Sequence, residues 1–332
     1  MRAVVIEKRG APPVLRDLPE PTARDGAVLI DVETAGLGGW DVAGAYRLGI
    51  EYPCVVRGEG VGRAEDGRRV YFGERSVAPY GALAERTLVP SDEVWDVPDD
   101  VDDATAITMG IAGTGILLPL EAAGLTRGDR LLVVGGTGTL GQLGLRLGRH
   151  LGAGTVVAAA RDAAALEAVR ARGLADEVVV MTGAEDDVDR MRRASGGEGF
   201  DVVIDLVYGR PFEAALKATR WGARLVTVGT LAGSVASVAA GDLLYRTHTT
   251  VGTGQRSPAE RHGVWRRLLG LAREADLRVP IVVHRRLDEG SAAWAAQAAS
   301  PHAKILIDVA GAPTTGPRRK DLPCPRTPPP SP

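Results

Sequence analysis

The chain has 332 residues, 45% of them apolar and 25% charged, and a net charge of −2. That length leaves room for two domains, and the composition is that of a globular protein. Near-neutral charge without a basic stripe speaks against a nucleic-acid partner, no apolar run approaches a membrane span, and two cysteines, Cys54 and Cys324, exclude a disulfide framework and fit a reducing cytoplasm.

The opening MRAVVIEKRG holds an apolar run of only four residues, too short for a secretory leader. AVVIE, AVLIDVETAG, CVVRGEGVGRA, RRVYFG and ALAERTLVP follow as short β-like segments separated by Gly, Pro and Asp. They predict a compact, mostly β domain of the partly open barrel type over residues 1–117.

From residue 118 the pattern changes. RLLVVGGTGTLGQLGLRLGRHLG (130–152) starts as a fully apolar strand, turns through glycine and continues with Leu143, Leu147 and Leu151 at helical spacing. Gly136, Gly138 and Gly141 form G-x-G-x-x-G, and the strand–turn–helix context is the one this fingerprint needs. Glycines let the backbone of Gly136, Thr137, Gly138, Thr139, Leu140 and Gly141 approach a pyrophosphate, and the helix start offers free N–H groups and a positive dipole. A tight strand-to-helix turn without ligand is the plainer alternative.

TVVAAA (155–160), DEVVVM (176–181), FDVVIDLV (200–207), ARLVTVG (223–229) and TTVG (249–252) are further strands, separated by helical segments at 164–172, 184–195 and 211–220. Such alternation predicts an α/β Rossmann domain over 118–254, a doubly wound parallel sheet with helices on both faces. At the end of the second strand, NAD-binding versions place an acid about 20 residues beyond the glycines to hold the ribose 2′-hydroxyl. Here Ala160 stands near that place and Arg161 follows, so the charge logic favours a 2′-phosphate, hence NADPH. Asp162, next in line, is the alternative ribose ligand.

The closing part reads as a helix (259–277) and then strand, helix and strand (279–309). The tail, 312–332, holds eight prolines with Arg318, Arg319 and Lys320 among them, and is expected to be a disordered extension.

With these elements in place the chain resembles the medium-chain dehydrogenase/reductases, and within them the zinc-free quinone oxidoreductase-like branch. The resemblance covers roughly residues 1–309 and is carried by VETAGLGGWDV (32–42), RGEGVGRA (57–64), GDRLLVVGGTGTLG (128–141), RLVTVGTLAG (224–233) and SPHAKILI (300–307). It implies that the β domain is GroES-like and catalytic, that residues 255–311 return to complete it, and that the active site lies between the domains. It further implies a dimer, and roles at the cofactor for Thr114, Val207, Tyr208, Gly229, Thr230 and Lys304. Thr114 equally reads as part of a helix start, and Lys304 as an ordinary exposed lysine.

The positions where zinc-dependent relatives carry their catalytic ligands fall on Gly38, Gly58 and Gly110, which have no donor side chain. Independently, all five histidines lie at or beyond His150, and Cys54 is the only cysteine before the tail. A catalytic zinc needs about three protein ligands and a structural one about four, so no metal is expected. Glu59, beside the lost histidine position, reads as structural.

Without a Lewis acid, the resemblance implies NADPH-dependent reduction of a quinone or α,β-unsaturated carbonyl, where hydride addition leaves a delocalised anion. GGWDVAGAYRLGIEYP (38–53) offers the pocket residues. Trp40 and Asp41 are substrate-binding candidates, although Trp40 also reads as core filling and Asp41 as a helix cap. With no histidine in this part and Asp41 expected to be ionised unless deeply buried, the phenols of Tyr46 and Tyr52 are the catalytic proton-donor candidates. Two alternatives stay open: an enoyl reductase or reductive cyclase of natural-product biosynthesis acting on a polyene, and a non-catalytic NADPH-binding protein.

Overall fold

The structure is a computed structural model and describes residues 1–43, 50–252, 254, 256–284 and 286–310. The proline-rich tail lies outside the described residues. The first part of the chain is built of short strands: β1 (Arg2–Ile6), β2 (Val14–Asp17), β3 (Ala27–Leu37), then helix α1 (Gly39–Ala43), β4 (Cys54–Val55), β5 (Glu59–Ala64), β6 (Arg69–Phe72), β7 (Arg86–Pro90) and β8 (Val94–Asp96). CVVRGEGVGRA is two strands rather than one segment, because Gly58 turns the chain with φ +52°.

Two helices then follow, α2 (Asp103–Met109) and α3 (Ile111–Ala122), of which the sequence pattern hinted only at a helix start near Thr114. Asp102 caps α2 by accepting the Thr105 N–H at 2.7 Å. Nine consecutive residues of α3, Ala112 to Leu120, are buried, so the helix has no polar face to betray its period.

The glycine-rich part follows with β9 (Arg130–Val134), α4 (Thr139–His150), β10 (Thr155–Ala160), α5 (Ala163–Ala171), β11 (Glu177–Val180), α6 (Asp187–Ala194), β12 (Phe200–Asp205), α7 (Arg210–Lys217), β13 (Thr219–Thr227), α8 (Ala240–Leu243) and β14 (Thr247–Thr250). Its six strands pair in parallel in the order β11-β10-β9-β12-β13-β14. The apolar runs of β9, β10 and β12 are legible as strands for this reason: helices cover both faces and leave no polar side. The order reverses between β9 and β12, the switch point at which such sheets receive ligands.

The chain closes with α9 (Pro258–Glu274), β15 (Ile281–His284), α10 (Gly290–Ala298) and β16 (Lys304–Asp308). Ser257 and Glu260 start α9 with reciprocal bonds between side chain and backbone. β16 returns to the first part and pairs antiparallel with β3, Ile305 opposite Leu37, giving a mixed sheet in the order β15-β16-β3-β5-β6-β8 with β7 also on β3. One apolar core runs from Val61 and Tyr71 through Ile107, Ile116 and Val133 to Trp265 and Leu306, binding both sheets. Trp265 is fully buried there and donates its indole N–H to the Ala106 carbonyl at 3.0 Å. No single helix among the described residues is long and apolar enough to cross a membrane.

Candidate functional site

The glycine turn sits at the switch point, between β9 and α4. Gly135 takes φ +88°, which a side chain would strain. A Cβ on Gly141 would fall 2.6 Å from the Gly136 Cα, and one on Gly136 would fall 2.8 Å from the Ala158 Cβ, so these glycines are required by close packing of turn, helix and strand. Gly138 differs: a Cβ there would find only the Gly135 carbonyl, at 3.8 Å. It is the N-cap of α4 and no side chain caps the helix, so the first-turn N–H groups, Thr139 and Leu140 among them, have no side-chain acceptor. A dinucleotide pyrophosphate fits such an end by both donor count and dipole.

The other cofactor candidates collect around it. A Cβ on Gly135 would lie 3.2 Å from the side chains of Leu206 and Val207, so the end of β12 adjoins the turn. Asp205, fully buried at that end, accepts the N–H groups of Val207 and Tyr208 at 3.1 and 3.0 Å and holds Tyr208 at φ +58°. Burial, opposed by these bonds and by Thr227, raises its carboxyl to about 6. Gly229 and Thr230 leave the neighbouring β13, and Gly229 packs so closely on Leu206 that a side chain would strike its carbonyl. Thr114 lies buried in the first turn of α3 rather than capping it, its N–H bonded to Gly110 O at 2.9 Å. Arg161 is exposed directly after β10. Asp162 is already engaged: one oxygen caps α5 through the Ala165 N–H at 2.9 Å, and the other faces the His302 ring at 3.3 Å.

A second constellation was not legible in advance. Lys304 is 2% exposed, which removes the exposed-lysine alternative, and its ammonium is committed to Glu59 at 2.7 Å. The other Glu59 oxygen accepts the Tyr71 hydroxyl at 2.6 Å and the Ile111 N–H at 2.9 Å. Burial, then the Glu59 charge, pushes the Tyr71 phenol well above its ordinary value, so it stays protonated. Glycine makes room for this network: a Cβ on Gly110 would run into the Tyr71 hydroxyl and Glu59, and one on Gly36 would lie 3.2 Å from the Lys304 Cε. A charged residue inside the otherwise small, apolar GEGVG strand was the available signal for Glu59; nothing local pointed to its partners.

The pocket candidates fall in different surroundings. Asp41 lies in the first turn of α1, 4% exposed, and accepts the N–H groups of Gly38 at 2.9 Å and Gly58 at 3.2 Å, while most of VAGAYRL, the helix it is expected to cap, lies outside the described residues. Burial raises its carboxyl to about 7 against the pull of the Gly38 N–H and Lys304. The condition attached to an ionised aspartate, that it not be deeply buried, is thus not met. Trp40 is not core filling: it is 46% exposed and its indole bonds to Glu74, whose carboxyl is also raised by burial and by Glu59. Glu74 lines a cavity of about 470 Å³ together with Arg57, Arg75, Ser76 and Glu93. Tyr52 is half-buried and packs against the apolar core of the first sheet. Tyr46 lies outside the described residues. Among the described residues no group of three or more His, Cys, Asp or Glu side chains is placed to hold a metal ion.

An open parallel sheet with a glycine turn at its switch point, joined to a mixed β sheet, defines the doubly wound class whose turns receive dinucleotides. The zinc-binding dehydrogenase family matches residues 139–272, which cover α4 to α9. Quinone oxidoreductase-like protein 2 of Rattus norvegicus is 26% identical over 210 residues, 62% of this chain and 58% of that protein. Prostaglandin reductase-3 of Mus musculus is 28% identical over 235 residues, 66% of this chain and 59% of that protein. The matches thus span less than two thirds of the length of these two relatives. The quinone oxidoreductase of Thermus thermophilus, solved also in complex with NADPH, superposes with a TM-score of 0.74 at 28% identity over 93% of this chain and 100% of that one. Together these matches support the medium-chain dehydrogenase/reductase superfamily, in its quinone oxidoreductase-like branch, as the family of this chain.

Proposed function

We propose that this protein is a zinc-independent, NADPH-dependent reductase of quinones or α,β-unsaturated carbonyl compounds. The observation that carries the reading is the uncapped glycine turn at the switch point, with Ala160 ending β10 where an acid would stand and exposed Arg161 next to it. The relatives' names and the NADPH complex of the Thermus enzyme support it. At Gly38, Gly58 and Gly110 the chain offers backbone and no metal donor, and the neighbouring Glu59 is neutralised by Lys304. That favours an acceptor whose anion is delocalised in itself over a simple ketone.

Bound NADPH supplies the hydride. The chain's own tasks are then to hold the pyrophosphate on the α4 N-terminus, to grip the 2′-phosphate with Arg161, and to set the nicotinamide end against Val207, Tyr208, Gly229, Thr230 and Thr114. Trp40 and Asp41 flank the acceptor, and the phenol of Tyr46 or Tyr52 delivers the proton that the enolate or hydroquinone anion requires. The proposal includes action in the cytoplasm on a small molecule and as a homodimer. The open edge of β14, with exposed Trp221, Leu244 and Tyr245 beside it, supports the last point.

The test is NADPH oxidation with a panel of quinones and enones, before and after treatment with a strong chelator, with zinc measured by elemental analysis. Turnover that survives the chelator in a zinc-free protein is expected. One zinc per chain, lost together with activity, would overturn the zinc-independent reading. NADPH binding without turnover on any acceptor would make the protein a binder and not an enzyme.

A further inference from the structure

His302 enters no part of the reading above, yet the fold carries it 140 residues in sequence from Asp162 to within 3.3 Å of that side chain. Asp162 follows Arg161 directly after β10, where doubly wound folds read the ribose next to the adenine. We propose that His302 is a specificity residue for the dinucleotide, through which the C-terminal return reads the 2′-phosphate beside Arg161, and that Gln142 is the positioning residue that holds it there. The proposal rests on the NADPH reading and deepens it.

Four observations converge on this. The Asp162 carboxylate is doubly occupied, capping α5 with one oxygen and facing His302 with the other, so it is poorly placed to accept a ribose hydroxyl. Its negative charge, which would repel a phosphate, has the imidazole against it. Both groups remain accessible, the His302 side chain at 32% and the Asp162 side chain at 50%, and Arg161 is exposed next to them. A ligand phosphate arriving at Arg161 therefore meets the His302 ring on a different element, which can donate to it by exchanging its contact with Asp162 for one with the phosphate.

The fourth observation is how the ring is kept in place. His302 has a left-handed backbone, φ +53°, uncommon for a residue other than glycine. Its carbonyl is held by Gln142, buried in α4 directly after the last glycine of the turn. Its amide NH₂ donates to His302 O at 2.8 Å and to Thr137 O at 2.6 Å, and its amide oxygen accepts from Arg172 at 2.9 Å. One side chain thus ties together the phosphate turn, the end of α5 and the return segment. Every polar atom of the amide is used, which is what a buried glutamine needs in order to be stabilising.

The experiment is equilibrium binding of NADPH and NADH, followed by nicotinamide fluorescence, to the full chain and to His302→Ala, Gln142→Met and Arg161→Ala. The parent should bind NADPH at least tenfold more tightly than NADH. His302→Ala should weaken NADPH threefold or more and leave NADH unchanged, which also reports that the protein is folded. Gln142→Met, of similar shape but without the three bonds, should move in the same direction, and adding His302→Ala to it should cost little more. Unchanged NADPH preference in His302→Ala would overturn the role of His302 while leaving the NADPH reading intact. Equal affinities in the parent would overturn the NADPH reading itself, and equal weakening of both dinucleotides would reduce His302 to a structural contact.

Discussion

At Asp41 the surroundings override what an aspartate does in water. Burial lifts its carboxyl to about 7, the Gly38 N–H and Lys304 pull back, and Glu74 and Glu59 push further up. A carboxyl whose proton is held more tightly in the folded state than in the unfolded one makes stability fall as pH rises between the two values. For Asp41 that window runs from near 4 to near 7, with a cost on the order of 4 kcal/mol once the window is crossed. Asp205, raised to about 6, adds to the lower part of it. Urea midpoints should therefore decline from pH 5 to pH 8, and Asp41→Asn should flatten the section above pH 6; an unchanged slope there would show that Asp41 does not titrate. The phenols are tested separately. One of Tyr46→Phe and Tyr52→Phe should lower turnover by roughly 10²–10⁴ with NADPH affinity unaltered, the range for loss of a positioned acid. Should both variants keep parental turnover, solvent or Asp41 supplies the proton.

At the level of elements, the glycine turn makes a sharper statement than its motif does, because its glycines are not equivalent. Alanine at 141 would bring a methyl carbon to 2.6 Å from the Gly136 Cα, forcing α4 away from the turn, whereas alanine at 138 meets nothing closer than 3.8 Å. Gly141→Ala should lower both the melting temperature and NADPH affinity, the latter tenfold or more, while Gly138→Ala should leave the melting temperature within a few degrees of the parent. Equal effects at the two positions would refute the packing argument. This turn was legible because its cause is local: a strand buried on both faces, a turn that excludes Cβ atoms and a helix whose leucines face one way. The pair α2 and α3 was not: α2 is only seven residues long, and α3 is buried almost all round, so it carries no polar period, while Gly113, Gly115 and Pro119 argue against helix. For Asp41 and Trp40 the residue types left two readings open, a pocket role or a cap and a core, and only the fold decides which of the two is buried. Glu59 and Lys304 stand 245 residues apart, a distance over which sequence pattern says nothing about pairing.

That pair is also where the whole molecule can be probed with one side chain. Lys304 begins β16, the strand that carries the C-terminal return into the first sheet, and Glu59 begins β5. Both are 2% exposed, and the bond between them lies in the same layer as Tyr71, whose ring stacks on Trp265 from α9 at 5.2 Å. Two buried opposite charges need not stabilise a fold relative to apolar residues, because desolvation offsets much of their attraction. Removing one of them is different, since the other is left charged in an interior that cannot solvate it. Lys304→Met keeps the stem that packs on Gly36 and deletes only the ammonium, so it should destabilise by about 3–5 kcal/mol. Tyr71 and the Ile111 N–H still serve one Glu59 oxygen, which places the expectation at the lower end of that range. Adding Glu59→Gln removes the stranded charge, and the double variant should recover at least half of the loss. Urea unfolding of the parent, the two single variants and the double variant gives the coupling directly. If the double variant is no more stable than Lys304→Met, the loss comes from packing along β16, and the return is held by its strand pairing and apolar contacts with no contribution from the charge.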